Sequence, residues 1–174
     1  NERHFEPGSS LCLLEIGSPP AEVPSPGESF GGEFSRAGPR PDAPVAGPSI
    51  RACVRTLLDD PGGVIRDPDV SHDCRSVLFS WKKSDREDDW HLYEFDVESG
   101  GVRQITGGLG FADYEGIYLP NGDIMFSSTR CVQNVDCWHV SVSNMYLMDR
   151  DGKYLRRIGF DQVHTNYPQV HPTS

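Results

Sequence analysis

The chain has 174 residues, enough for one sizeable core, but only 36% are hydrophobic and nine of its 14 prolines precede Ser49. Dense packing is therefore expected only in the remainder. A net charge of −10 repels a phosphate backbone, which argues against nucleic-acid binding. No apolar run approaches the ~18 residues that span a bilayer, and no basic amphipathic stretch suits a membrane surface.

Taken in chain order, Leu11–Ile16 is a short apolar run bounded by Gly and Pro, a strand signal. Gly17–Ser49 is rich in Pro, Gly, Ser and Ala, with Phe30 and Phe34 almost its only large apolar residues, and reads as a long loop. Ile50–Leu58 alternates loosely before the turn Asp60-Pro61-Gly62-Gly63. We therefore divide the chain into an N-terminal region, 1–61, and a repeat region, 62–174.

In the repeat region short runs alternate with tight turns. Val64–Ser71 leads through the turn His72-Asp73-Cys74-Arg75 into Ser76–Trp81. A charged loop, Lys82–Asp89, precedes an alternating strand holding Trp90, Leu92, Phe95 and Val97; Ser99-Gly100-Gly101 turns it back through Val102–Thr106. The pattern then recurs. Asn121-Gly122 and Asp151-Gly152 supply turns, and Ile124–Ser128, Asn144–Asp149 and Tyr154–Ile158 supply strands. A third round opens at Tyr167-Pro168-Gln169-Val170.

The self-similarity is explicit. Val77-Leu78-Phe79-Ser80 corresponds to Met125-Phe126-Ser127-Ser128, and His91–Asp96 to Asn144–Asp149. Phe79 to Phe126 is 47 positions and Tyr93 to Tyr146 is 53. A period of roughly 40–50 residues with four short strands is the mark of propeller blades. The expected fold is all-β: a partial β-propeller of four-stranded antiparallel sheets, with blades at about 64–111 and 112–163 and the start of a next one at 164–174. Neighbouring blades bury each other's apolar faces, so two blades need the rest of a propeller or another protein chain against them.

Five cysteines form no Cys-x-x-Cys. Cys131 and Cys137 bracket five residues in a loop and are candidates for a disulfide, which would suit an oxidising compartment. No catalytic residue is assigned, since no Gly-x-Ser-x-Gly is present. Repeat position gathers Asp67, Asp69, Asp113, Glu115 and His164 around one rim, a set able to hold Ca²⁺ or meet a polar ligand. The plainer alternative is that they cap turns and bond nearby amides. Arg130 is expected to brace adjacent blades by ion pairing.

Leu119-Pro120-Asn121-Gly122-Asp123, Met145–Gly152 and Arg103-Gln104-Ile105-Thr106 together resemble the TolB-like propeller blade. More narrowly, Asp67–Ser71, Trp90–Glu94, Tyr118–Gly122 and Phe126–Cys131 are similar to the propeller region of hydrazine synthase alpha-subunit-like proteins. That resemblance implies export to the periplasm or beyond, and c-type haems elsewhere in the parent protein. No cofactor motif is evident on this chain, because Cys-x-x-Cys-His is missing. The leading expectation is a non-catalytic binding or scaffolding segment recognising a protein partner or ligand. The alternatives are part of a haem- or metal-dependent enzyme, or a propeller hydrolase or lactonase. Cys74 and Asn121 depart from the blade pattern, standing where Gly and Asp are usual.

Overall fold

The computed structural model describes residues 5–17, 51–136 and 139–171. The Pro/Gly-rich stretch read as a loop lies almost wholly outside the described residues, as do Cys137 and residues 172–174. The chain divides into two compact units, one of Cys12–Leu58 and one of Asn1–Leu11 with Asp59–Ser174. Two strands, β1 (Ser9–Gly17) and β2 (Arg51–Asp60), pair as a two-stranded sheet.

The larger unit holds two four-stranded antiparallel sheets and, among the described residues, no helix. Blade 1 is β3 (Val64–Val70), β4 (Ser76–Lys82), β5 (His91–Asp96) and β6 (Val102–Gln104), each strand pairing with the next in sequence. Blade 2 repeats this with β7 (Asp113–Tyr118), β8 (Ile124–Ser128), β9 (Asn144–Met148) and β10 (Arg156–Arg157). The fold is the partial β-propeller anticipated above.

Tight turns make the meander. Cys74 adopts a left-handed φ of 57° and donates its N–H to Ser71 O at 2.8 Å, so a side chain tolerates the turn where Gly is usual. The register corrects the sequence alignment of the second strands by one residue. Ser80 lies opposite Arg66 and Ser127 opposite Tyr114, while Phe79 and Phe126 both face a tyrosine, Tyr93 and Tyr146. Phe79 therefore matches Phe126, and Ser80 matches Ser127. The four-residue strings hid this because blade 2 has Ser at both 127 and 128.

Strands of a propeller are buried on both faces, so β4 shows little alternation. One face carries Phe79, Trp81 and Tyr93 as an aromatic cluster with ring centroids 5.0–6.0 Å apart. The other face carries Leu78 and Leu92 into the junction, where they share a core with Tyr118, Ile124, Phe126, Tyr146 and Met148, and with the half-buried Ile105. Gly116 makes the close approach possible. A Cβ there would meet Leu78 Cδ2 at 2.8 Å and Leu92 Cδ2 at 3.0 Å. Each blade thus supplies half of one core, the mutual shielding that two copies of the repeat require.

Candidate functional site

The residues expected at one rim sit on the opening strands of the blades and around the junction. Asp67 and Glu115 occupy matching places, each with a left-handed φ (53° and 55°) at a bulge where the first strand slips against the second. The other three do not share that place. Asp113 matches Ile65, Asp69 matches Ile117, and His164 lies ahead of the third copy of the strand. Equivalence by repeat therefore holds for Asp67 and Glu115 only.

Each carboxylate is spent within the protein. Asp67 Oδ2 accepts from Arg66 Nε at 2.6 Å. Asp69 Oδ2 accepts the backbone N–H of Tyr118 at 2.8 Å, a bond across the junction. Glu115 faces Arg66 Nη2 with one oxygen (3.3 Å); its other oxygen accepts from Ser127 Oγ and from the N–H of Tyr167, both at 2.9 Å. The Arg66 guanidinium lies over the rings of Trp90 and Tyr114, 4.9 and 5.3 Å from their centroids. The N–H of Ser143 donates to His164 Nδ1 at 3.2 Å, and the histidine is otherwise exposed. Among the described residues no group of three or more His, Cys, Asp or Glu is placed to hold a metal ion.

Asp113 is wholly buried and takes a two-pronged bond from Arg130, Nε to Oδ1 at 2.9 Å and Nη2 to Oδ2 at 2.7 Å; Ser128 Oγ donates to Oδ1 at 2.6 Å. Arg130 also lies over Phe111, 3.9 Å from its centroid. Its ion pair closes blade 2 on itself, which corrects the expectation that it bridges two blades. Burial raises the Asp113 carboxyl, but its polar neighbours His91, Arg130 and Ser128 outweigh burial and hold it below the ordinary aspartate range. His91 Nδ1 stands 3.9 Å from Asp113 Oδ2, beyond hydrogen-bond reach, and acts on it through charge.

The strongest polar link between the blades was not anticipated. Glu94 of β5 accepts from Tyr118 Oη at 2.7 Å, Arg150 Nε at 3.0 Å and Arg103 Nη2 at 2.8 Å. Arg150 also donates to Ser76 Oγ at 2.8 Å, and Arg103 to the carbonyl of Arg150 at 3.0 Å. Burial raises the Glu94 carboxyl, yet the Tyr118 and arginine bonds together hold it below the usual glutamate range. Burial, and then the bond to Glu94, push the Tyr118 phenol well above the ordinary tyrosine value. The one signal in the sequence was that Glu94 stands where the second blade has Leu147.

Cys131 is a free thiol whose Sγ lies 3.1 Å from Val142 O. Cys137, its expected disulfide partner, lies outside the described residues. An open hollow of about 360 Å³, lined by Lys82, Asp85, Arg86, Glu87, Asp88, Asp89 and Leu109, lies at the charged loop of blade 1.

Two docked meanders with matching registers and a shared core define a β-propeller segment. Among solved structures, the chain is similar to a putative TolB from Agrobacterium tumefaciens, with a TM-score of 0.54 and 20% identity over 70% of this chain. It spans 39% of that chain's length. Weaker likenesses join it to TolB from Acinetobacter baumannii (TM-score 0.45, 19% identity, 62% of this chain and 24% of that one) and to a puromycin hydrolase (0.44, 21%, 60% and 15%). No family model and no curated protein matches.

Proposed function

We propose that this chain is a non-catalytic scaffolding and binding segment of a β-propeller in a larger exported protein, and that its blade loops recognise a protein partner or ligand. One observation carries the reading: the carboxylates that would do chemistry are taken up by bonds within the protein. Glu115 alone joins β3, β8 and the third copy of the opening strand through Arg66, Ser127 and Tyr167. Pairing of this kind fixes geometry and leaves the outward loops for recognition. The mixed-charge hollow at Lys82–Asp89 is the concave surface such a partner would meet. The resemblance to hydrazine synthase alpha-subunit-like proteins supports an exported parent protein.

A cation titration tests the assignment. Calcium or zinc added to the full chain is expected to leave its melting temperature unchanged, while Glu115→Gln lowers it with or without metal. Stabilisation by a divalent cation that disappears in Asp67→Asn or Glu115→Gln would replace the scaffold with a metal-dependent propeller enzyme.

A further inference from the structure

Two turns of blade 2 share one hydrogen-bond pattern. At the first, Leu119 N–H donates to Asp123 O at 2.8 Å and Gly122 N–H to Leu119 O at 2.9 Å. At the second, Asp149 N–H donates to Lys153 O at 2.9 Å and Gly152 N–H to Asp149 O at 3.0 Å. Both glycines take a left-handed φ, 89° and 79°. Each follows a residue whose side-chain carbonyl carbon the next backbone nitrogen can attack, Asn121 in one turn and Asp151 in the other.

The surroundings of the two turns differ. A Cβ on Gly122 would meet nothing within 4 Å, and Asn121 and Gly122 are both exposed. A Cβ on Gly152 would meet Ile105 O of blade 1 at 2.8 Å. Asp151 stands 3.6 Å from both Arg103 Nη1 and Lys153 Nζ, and an ionised carboxylate resists nucleophilic attack. The Asn121 amide has no such protection. Its Oδ1 accepts the backbone N–H of Asp123 at 3.1 Å, which stabilises negative charge developing on that oxygen. Its Nδ2 donates to Asp123 Oδ2 at 2.9 Å, which fixes the amide plane.

We propose that Asn121 is a site of spontaneous deamidation, with solvent water as the co-reactant. The Gly122 nitrogen attacks Asn121 Cγ and loses its proton to water. The Cγ–Nδ2 bond breaks, and Nδ2 takes up a proton and leaves as ammonia. Water then opens the cyclic imide: at Cγ it gives aspartate, and at the backbone carbonyl it gives isoaspartate. The bond from Gly122 N–H to Leu119 O must open first, which is a local event in a solvated turn. Either product places a new negative charge beside Asp123, where the amide had donated. Isoaspartate also lengthens the main chain between Tyr118, which Glu94 holds, and Ile124 in the junction core. An exposed turn thereby acts on the junction. The proposal uses none of the rim carboxylates, so it stands or falls apart from the scaffold reading.

The test holds the full chain at neutral pH and body temperature for weeks and maps it by fragmentation mass spectrometry, with enzymatic methylation marking isoaspartate. A mass gain of about 1 Da is expected in the tryptic peptide 104–130, located at Asn121. It should precede any gain at Asn134, Asn144 or Asn166. Isoaspartate and aspartate both form, and the rate rises about tenfold per pH unit as more of the Gly122 nitrogen is deprotonated. Asp151 forms isoaspartate more slowly than Asn121 does. The isoaspartate chain, separated by anion exchange, should melt about 2–4 °C lower. Earlier gain at another asparagine, aspartate formed without isoaspartate, or equal isoaspartate at Asp151 overturns the proposal. So does an unmodified Asn121 in the folded chain while a free peptide of residues 118–124 deamidates. An unchanged melting temperature overturns the effect on the junction.

Discussion

Blade 2 presents two faces built from matching positions, and the side chains at those positions differ. Toward blade 1 it sets Tyr118, Ile124 and Phe126, all buried, with Glu94 of blade 1 clamping Tyr118 and Arg150. On the far side Ile158 stands where blade 1 has the half-buried Ile105, and Leu147 stands where blade 1 has Glu94. Arg156 lies opposite Leu147, just as Arg103 lies opposite Glu94, so the second junction keeps the arginine and loses its carboxylate. The same repeat positions thus build a polar clamp over an apolar core at the junction and a more apolar surface on the far side. The carboxylate adds polar specificity to a junction that burial already drives.

The contrast is broken most severely by removing the shared ring. Phe126→Ala empties the closed junction and is expected to cost about 3–5 kcal/mol in a denaturant titration. A loss below about 1 kcal/mol would mean the junction core is not cooperative with the rest. Next comes the clamp. Glu94→Gln keeps the shape but removes the charge from three bonds, at a cost of about 2 kcal/mol.

The same variant carries a pH signature. Glu94 and Asp113 are held below their ordinary values of 4.5 and 3.8, so both are charged in the folded chain where the unfolded chain begins to bind protons. Their contribution is complete above those ordinary values and disappears as pH falls toward the lowered ones. Stability measured from neutral pH downward should therefore hold to about pH 5 and then drop, with a shallower drop in Glu94→Gln. An unchanged slope would remove Glu94 from the account. At the alkaline end, burial and the nearby Asp88 charge raise the Tyr93 phenol to about 12. Stability held by the neutral phenol is complete below the ordinary tyrosine value and is lost as pH rises toward 12.

Gly116→Ala sharpens the same comparison on a smaller scale, since its Cβ presses on Leu78 and Leu92. The expected cost is about 1–2 kcal/mol, partly recovered by Leu92→Val in the double variant. The smallest effect belongs to the open side: Ile158→Ser should change stability by less than about 0.5 kcal/mol. A cost comparable with that of Phe126→Ala would show the far face to be closed already.

Much of the fold was legible in the chain because short apolar runs, Asn-Gly and Asp-Gly turns and a recurring spacing are local signals. The spacing also located the opening strands and therefore Asp67 and Glu115. It did not reveal that both residues sit on bulges, since neither a Pro nor a Gly at the following position specifies a left-handed φ. Nor did it show the use of the carboxylates. Asp113 finds Arg130 across 17 positions and Glu94 finds Arg150 across 56, distances over which sequence carries no pairing rule.

The sequence by itself determined a β-meander repeat and its period, because turn chemistry and alternation act between neighbours along the chain. Only the tertiary structure decided which copy of each position is buried and which carboxylate is consumed by a neighbouring blade. Those outcomes depend on the packing of whole sheets against one another, and Ile105 and Ile158, at matching repeat positions, differ in burial for that reason.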